Sequence, residues 1–540
     1  VKKLLAAAFL LASCATAPKA PMFDLKIMNG RVLDGTGAPW FRGDIGVRGD
    51  TITAIGNLGD ATARTTIDAR ERVVSPGFID LLGQSQGAVV EDPYLEAKVR
   101  QGVTTEVTGE GFSPGPVRPT SEETRWRTLG QYLDLIDRRG AAINFALFIG
   151  ASNARAIVIG DVNRPATADE MRRMEDIVEQ GMREGAIGLS TSLIYLPAMY
   201  STTEEIVNLA RVAAKYGGTY FTHMRDEGEK IDEGLDEAFR IGREANIPVN
   251  IWHLKLGGRS VWGRMPQVIE RIRQARAEGI DVAANVYPYV ASSTALSTLA
   301  PDWSMEGGYD DLQARLQEPE QRARIAESLR RQIERRGPRG IFVTAMRNPE
   351  FAQYQKKFIE DIAAEMNLPP EEALIRLFIE NRLSPRVIFF SMNEEDVRHA
   401  LMQPFVSIGA DSGAPSDEDR ARKSGAHPRA YGSFPRVLGH YVREVKLFEL
   451  PEAVRRVTSL AAQRAKLMDR GILRTGMKAD IVVFDPDGIR DLATFEDPHR
   501  FSEGISDVIV NGVPVLRDGQ MTRALPGRTI RGRGYQRVSR

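Results

Sequence analysis

The chain has 540 residues, and its 72 lysines and arginines are balanced by 72 aspartates and glutamates, with six histidines and one cysteine. An apolar content of 42% supports a packed core and excludes wholesale disorder, and zero formal net charge leaves no electrostatic footprint for nucleic acid or an anionic membrane. A single cysteine excludes an internal disulfide framework and any cysteine-rich zinc module, so chemistry must come from a few histidines and the carboxylates.

Residues 1–21 read as an address. Lys2 and Lys3 precede the apolar run Leu4 to Ala12. That run is far shorter than the ~20 helical residues needed to cross ~30 Å of hydrocarbon, which predicts a signal-peptide core rather than a membrane span. The cysteine follows in Leu11-Ala12-Ser13-Cys14, a pattern that resembles the lipobox of bacterial lipoproteins. The resemblance implies acylation at Cys14 and an exported chain on the periplasmic side of a bacterial membrane, touching that membrane only through its lipid. An ordinary signal peptide with an incidental cysteine is the alternative. Ala15 to Pro21 reads as a tether.

Residues 22–74 alternate short strands with tight turns. Leu25 to Met28 precedes Asn29-Gly30, Asp44 to Val47 precedes Gly49-Asp50, and Thr51 to Ile55 follows. Residues 466–540 have the same texture, with Asp480 to Phe484, Val508 to Val510, the turn Asn511-Gly512, and Val513 to Leu516. Two distant β-rich ends predict one small sandwich assembled from both termini. Between them, over residues 75–465, strands alternate with amphipathic helices. The strand candidates are Val73–Asp80, Val103–Thr108, Ile143–Ile149, Ala186–Ser190, Thr219–His223, Val249–His253, Val282–Val286 and Phe405–Asp411. Thr167 with Glu170 and Thr202 with Glu205 are capping boxes that start two of the helices. The alternation predicts an α/β fold, a (β/α)8 barrel. The interval before the last strand is too long for one unit, and its Arg-, Gln- and Glu-rich stretch Leu312 to Arg339 predicts a solvated helical insertion at about 300–385.

Barrel enzymes carry their reactive residues at the C-terminal ends of the strands. His223 closes the fifth candidate and His253 the sixth, one βα unit apart. Both rings should stand side by side on the rim, where neutral imidazoles suit a zinc-type cation; either one alone would read as a core or capping histidine. Asp411 ends the eighth candidate, where it could cap a helix or serve as general base beside a metal-bound water. Glu110 follows the second between Gly109 and Gly111, which aim one carboxylate at the barrel mouth unless the trio is a plain turn.

A set of longer stretches is more specific. Ser75-Pro76-Gly77-Phe78-Ile79-Asp80, Gln101-Gly102-Val103-Thr104-Thr105, Gly188-Leu189-Ser190-Thr191, Thr222-His223-Met224-Arg225-Asp226-Glu227, Val286-Tyr287-Pro288-Tyr289, His427-Pro428-Arg429 and Gly476-Met477-Lys478-Ala479-Asp480 occur in this order. Together they make the body, from about Phe23 to Arg531, resemble the D-aminoacylase branch (N-acyl-D-amino-acid deacylases) of the amidohydrolase superfamily. The resemblance implies a metal-dependent barrel with a β-sandwich from both termini and an insertion that covers the active site. It implies metal ligation by His223 and His253, with Glu110 standing where the family has a cysteine, and a catalytic aspartate at Asp411. It also implies contacts to the substrate carboxylate from Tyr195, Lys255, Ser292 and Arg429.

The chain departs from the family at strand one, where the usual His-x-His pair is replaced by Leu82 and Gln84. One divalent metal is therefore expected rather than two, zinc first, with manganese or iron made plausible by the harder oxygen ligand of Glu110. The expected activity is hydrolysis of an N-acyl amino acid, of D configuration by resemblance, to a carboxylate and a free amino acid. In the expected mechanism the metal lowers the pKa of its water from ~16 to about 7. Asp411 takes the proton and returns it to the departing amine. The alternatives are cleavage of another C–N or C–O bond, as in a dipeptide, cyclic amide or lactone, and a non-catalytic binding lipoprotein that kept the fold.

Overall fold

The computed structural model describes residues 22–536 other than 124, 347, 382–384 and 422–424, so Cys14 and its flanks lie outside the described residues. Five strands open the chain: β1 (Phe23–Val32), β2 (Phe41–Arg48), β3 (Thr51–Gly56), β4 (Ala63–Asp68) and β5 (Val73–Pro76). Gly49-Asp50 turns β2 into β3. Asn29-Gly30 does not turn the chain: it lies inside β1 as a bulge where the register against β2 shifts, with Asn29 in the left-handed region at φ 57°. An extra residue at such a bulge needs the same backbone freedom as a hairpin turn, so the two share a sequence signature.

The strand expected over Val73–Asp80 is two strands. It breaks at Gly77, whose missing Cβ would lie 2.1 Å from Thr104 Oγ1. β5 stays in the sandwich, and β6 (Phe78–Asp80) starts the barrel. The barrel continues through β7 (Val103–Thr108), β8 (Asn144–Leu147) with its extension β9 (Ile149–Gly150), β10 (Gly188–Ser192), β11 (Thr219–His223), β12 (Val249–Ile251) and β13 (Val282–Val286). All neighbouring barrel strands are parallel. The helices between them start as their sequence dictates: Thr167 and Thr202 accept from the backbone N–H of Glu170 and Glu205, and both reciprocal bonds of each capping box are present.

After β13 comes the insertion. β14 (Ser292–Ala295), β15 (Ile341–Ala345), β16 (Lys357–Phe358) and β17 (Arg386–Phe389) form a four-stranded antiparallel sheet in the order β14-β17-β15-β16. The Arg- and Glu-rich stretch is helical, over Tyr309–Gln317 and Pro319–Arg336, but it is not solvated all round. Leu312, Leu316, Ile325 and Leu329 turn one face into a core that the insertion owns separately from the barrel. The sheet leaves little trace in the sequence because its strands are short and the helices between them dominate the composition.

β18 (Val406–Ile408) then pairs with β13, and Leu81 N–H reaches Ile408 O to close the ring. Its interior is filled by Phe148, Phe221 and Trp252, whose centroids lie 4.6–5.5 Å apart. The last strands, β19 (Ile481–Phe484), β20 (Ile505–Val510), β21 (Val513–Arg517) and β22 (Gln520–Met521), complete a nine-stranded sheet with β1–β5. Strand alternation serves two cores at once: Ile481 and Val483 point into the sandwich, Val482 and Phe484 onto the barrel. No described helix is long and apolar enough to cross a membrane.

Candidate metal centre and active site

Glu110, His223 and His253 meet at the C-terminal rim. Gly109 (φ 101°) and Gly111 (φ 66°) bracket Glu110, and a Cβ on Gly111 would lie 2.6 Å from Ser192 Cβ, so only glycine allows this turn. His223 is the last residue of β11, and His253 lies two residues past β12 in a left-handed conformation (φ 37°). Glu110 Oε1 lies 2.8 Å from His223 Nδ1 and 3.1 Å from His253 Nε2. One ligand atom from each residue fits within a 4.8 Å group, and both rings are buried.

This donor set fits a divalent cation. One carboxylate and two imidazoles make a catalytic zinc composition, and a tetrahedral ion spaces such ligand atoms roughly 3–3.5 Å apart. The His253 separation falls in that range and the His223 separation just below it, so a small outward adjustment admits the ion. Electrostatics agree. Burial raises the Glu110 carboxyl, but hydrogen bonds and charge from His223 and His253 outweigh it and hold it well below the usual carboxylate range. Burial lowers His223, yet Glu227 and Glu110 drive it up to about 9. The pocket is built for positive charge between these groups.

Glu227, which carried no role in the sequence reading, stands behind both rings. Its carboxylate oxygens lie 3.3 Å from His223 Nε2 and 2.9 Å from His253 Nδ1, the nitrogens that face away from Glu110, and 2.6 Å from Lys255 Nζ. Burial raises its pKa, and His223, Lys255 and His253 pull it well below the ordinary value. A carboxylate behind metal-facing imidazoles steadies them electrostatically, while Lys255 Nζ makes the hydrogen bond to His253 Nδ1 at 2.8 Å. Its only sequence signal was a position four residues beyond His223 in a matching stretch.

Asp411 follows β18 with φ 50° and is 8% exposed. Gln84 Nε2 donates to Asp411 Oδ1 (2.8 Å) and to Glu110 Oε2 (3.0 Å), so one neutral amide ties the two carboxylates together. Arg429 Nη1 lies 2.9 Å from Asp411 Oδ2. Burial raises the Asp411 pKa against the opposing charges of Arg429 and His253, and the net direction is upward.

A cavity of about 340 Å³ opens over the group, lined by Gln84, Glu110, His223, His253 and Asp411 together with Tyr195, Lys255 and Ser292. Tyr195 OH bonds Thr294 Oγ1 at 2.7 Å. Arg429 instead lines an adjoining pocket of about 230 Å³ that shares Ser293, Arg386 and Asp411 with the first. Its guanidinium is almost fully buried, donates to Ser293 O, and leaves Nε and Nη1 without hydrogen bonds. All the residues singled out from sequence, except Cys14, therefore converge on two connected spaces. Beneath them lies a buried triad: Lys98 Nζ reaches Asp80 (2.7 Å), Glu106 (3.3 Å) and the carbonyl of Ser412, next to Asp411 (2.6 Å).

Residues 403–516 match the profile of the amidohydrolase family. The chain is 38% identical over 521 residues to a D-aminoacylase of Alcaligenes xylosoxydans xylosoxydans, covering 94% of this chain and 97% of that protein. The N-acyl-D-glutamate deacylase of Bordetella bronchiseptica, solved with zinc and a phosphonate mimic of the tetrahedral intermediate, superposes with a TM-score of 0.81 at 32% identity, over 94% of this chain and 99% of that one. A solved D-aminoacylase whose binuclear centre is described as activated by one metal and attenuated by a second superposes equally well (TM-score 0.81, 36% identity, 94% and 100% coverage). With this identity over nearly the whole of both chains, the chain belongs to the amidohydrolase family, in the group of D-aminoacylases and N-acyl-D-amino-acid deacylases.

Proposed function

We propose that the chain is a metal-dependent hydrolase that cleaves the linear amide of N-acyl-D-amino acids, releasing a carboxylate and the free amino acid. The observation that carries this reading is the convergence of Glu110, His223 and His253 with Asp411 around one cavity. Glu110, His223 and His253 would hold one divalent cation, zinc in the first instance with manganese or iron as alternatives. When bound, that cation supplies Lewis-acid chemistry, polarising a carbonyl and acidifying water.

Asp411 is the proton-transfer residue: it accepts a proton from the attacking water and delivers it to the leaving nitrogen. Its raised pKa suits the first task, since a carboxylate of higher pKa is the stronger base toward the attacking water. Gln84 and the left-handed backbone at Asp411 hold the carboxylate in one orientation. Tyr195, Lys255, Ser292 and Arg429 bind the substrate carboxylate, and buried Arg429, whose Nη1 is ion-paired with Asp411, keeps an Nε–H without a hydrogen-bond partner as a donor suited to that task. Glu227 places a negative charge behind both imidazoles and so favours a cation on their other side.

Metal analysis of the purified chain, followed by an amine-release screen over N-acyl-D- and L-amino acids, tests the reading. About one metal per chain and activity on D substrates is expected, with Asp411→Asn lowering kcat by roughly 10²–10⁴ while metal content stays constant. Absence of stoichiometric metal, or an Asp411→Asn variant as fast as the parent, overturns it. Turnover confined to lactones or cyclic amides moves the assignment to that bond class.

We also propose export and acylation at Cys14, supported by the Lys2-Lys3, Leu4 to Ala12 and Leu11-Ala12-Ser13-Cys14 pattern. Incorporation of radiolabelled fatty acid that is lost in Cys14→Ala is the expected result, and labelling that survives the substitution refutes it.

A further inference from the structure

The wall of the cavity opposite the metal-ligand group comes from the insertion. Arg335 and Arg336 end the helix Pro319–Arg336, and Arg386 begins β17; all three line the cavity. The other cations there are paired, Arg225 with Glu237 at 2.9 Å and Lys255 with Glu227 at 2.6 Å. Among the described residues, neither Arg335, Arg336 nor Arg386 has a carboxylate within 4.0 Å. Arg336 donates to Gln332 and stacks over Phe389 with Cζ 4.4 Å from the ring centroid. The Nε atoms of Arg335 and Arg336 are buried without partners.

The acidic residues lining this part of the cavity are otherwise engaged or face another cation. Asp226 Oδ1 accepts the backbone N–H of Gly228 and Lys230, and Asp302 is faced by Arg225. Burial, then repulsion from Arg335, lowers Arg336 to about 9, so it still carries its charge at neutral pH. A helix C-terminus favours basic residues in its last turn. That preference does not explain a third guanidinium from a strand lining the same space. Arg386 also lines the adjoining pocket with Arg429 and Asp411, which puts this charge beside the reacting centre.

We propose that Arg335, Arg336 and Arg386 form a second anion subsite, and that the preferred substrate is a dianionic amide with a carboxylate beyond the one next to the scissile bond. This rests on the amide-hydrolase reading above. The second carboxylate has two possible sources with one chemistry, an acidic amino-acid side chain or a diacid acyl group.

The test uses the zinc-loaded full chain with matched pairs: N-acetyl-D-glutamate against N-acetyl-D-glutamine, and N-succinyl-D-alanine against N-butanoyl-D-alanine. Charge-assisted hydrogen bonds to buried arginine predict kcat/KM about ten- to hundredfold higher for the dianion of one pair, and the pair showing it identifies the source. In Arg336→Met and Arg386→Met the dianion-to-neutral ratio should fall toward one, and Arg386→Lys should keep part of it. A ratio near one in both pairs, or one that survives both methionine variants, overturns the subsite.

If no amide is hydrolysed, the functional reading fails by itself and calorimetry decides the subsite. N-acetyl-D-glutamate binding at least about tenfold more tightly than N-acetyl-D-glutamine, or N-succinyl-D-alanine than N-butanoyl-D-alanine, with the difference lost in Arg386→Met, supports it. Equal affinities within both pairs refute it.

Discussion

Lys98→Met should cost stability in a pH-dependent way. Lys98, Asp80 and Glu106 are fully buried, so the triad holds one positive and two negative formal charges without solvent. Burial lowers Lys98, but Asp80 and Glu106 outweigh it and the net shift is upward. Burial raises Glu106, Asp80 adds to that, and Lys98 with Ser85 only partly offsets it. Removing the ammonium leaves two carboxylates in apolar surroundings, a change worth about 3–5 kcal/mol when one partner of a buried pair is deleted.

Glu106 then loses its main stabilising charge, and its folded pKa rises further above the unfolded value of about 4.3. A carboxyl with a raised folded pKa takes up a proton on folding. Its favourable linkage is complete below the unfolded pKa and is lost as pH rises toward the folded pKa, at up to ~1.4 kcal/mol per pH unit. The deficit of Lys98→Met relative to the parent should therefore be smaller near pH 5 than near pH 8, by at least about 1 kcal/mol. Urea midpoints of both proteins at the two pH values measure it. The double variant Lys98→Met/Glu106→Gln should lose the pH dependence. A deficit under about 1 kcal/mol, or one equal at both pH values, would refute this account of the triad. Because Lys98 also holds the Ser412 carbonyl beside Asp411, kcat should fall in the variant even where it remains folded.

Three further outcomes follow from the site. Gln84→His should add a second imidazole-based cation position next to Glu110 and Asp411, raising bound metal from about one to about two equivalents by calorimetry; unchanged stoichiometry would show that the missing histidine is not what limits the site. Glu110→Cys replaces a hard oxygen with a soft thiolate, so competition between zinc and manganese should shift toward zinc, and an unaltered preference contradicts ligation by this residue. Glu227→Gln should weaken metal affinity about 10–100-fold with little change in the urea midpoint, because it removes the acceptor behind both rings; a loss of stability without loss of affinity would make Glu227 a structural residue instead.

Gln84 gives the active site its particular electrostatics. Its Nε2 spans Asp411 and Glu110, which would otherwise repel each other in a buried space. An amide can donate to both carboxylates at once but brings no charge. Arg429 supplies the positive charge to Asp411 instead, from the opposite side. The carboxylate is thus oriented by a neutral group and balanced by a cation, a combination that leaves its pKa above the ordinary value.

Sequence alone determined the features that are local. The βα alternation, the capping boxes at Thr167 and Thr202, and histidines at the ends of successive strands depend on residues a few positions apart, and each was legible without coordinates. Resemblance supplied Tyr195, Lys255, Ser292 and Arg429, and tertiary structure gathered them around connected cavities. What only the tertiary structure decided is set by contacts between distant parts of the chain. Gln84 meets Asp411 across 327 residues, Lys98 meets Ser412 across 314, and the insertion brings Arg336 and Arg386 over a metal-ligand group made from three other strands. Local periodicity records which face of an element is apolar. It carries no record of which polar side chains share a buried space, and there low dielectric makes each charge depend on all the others.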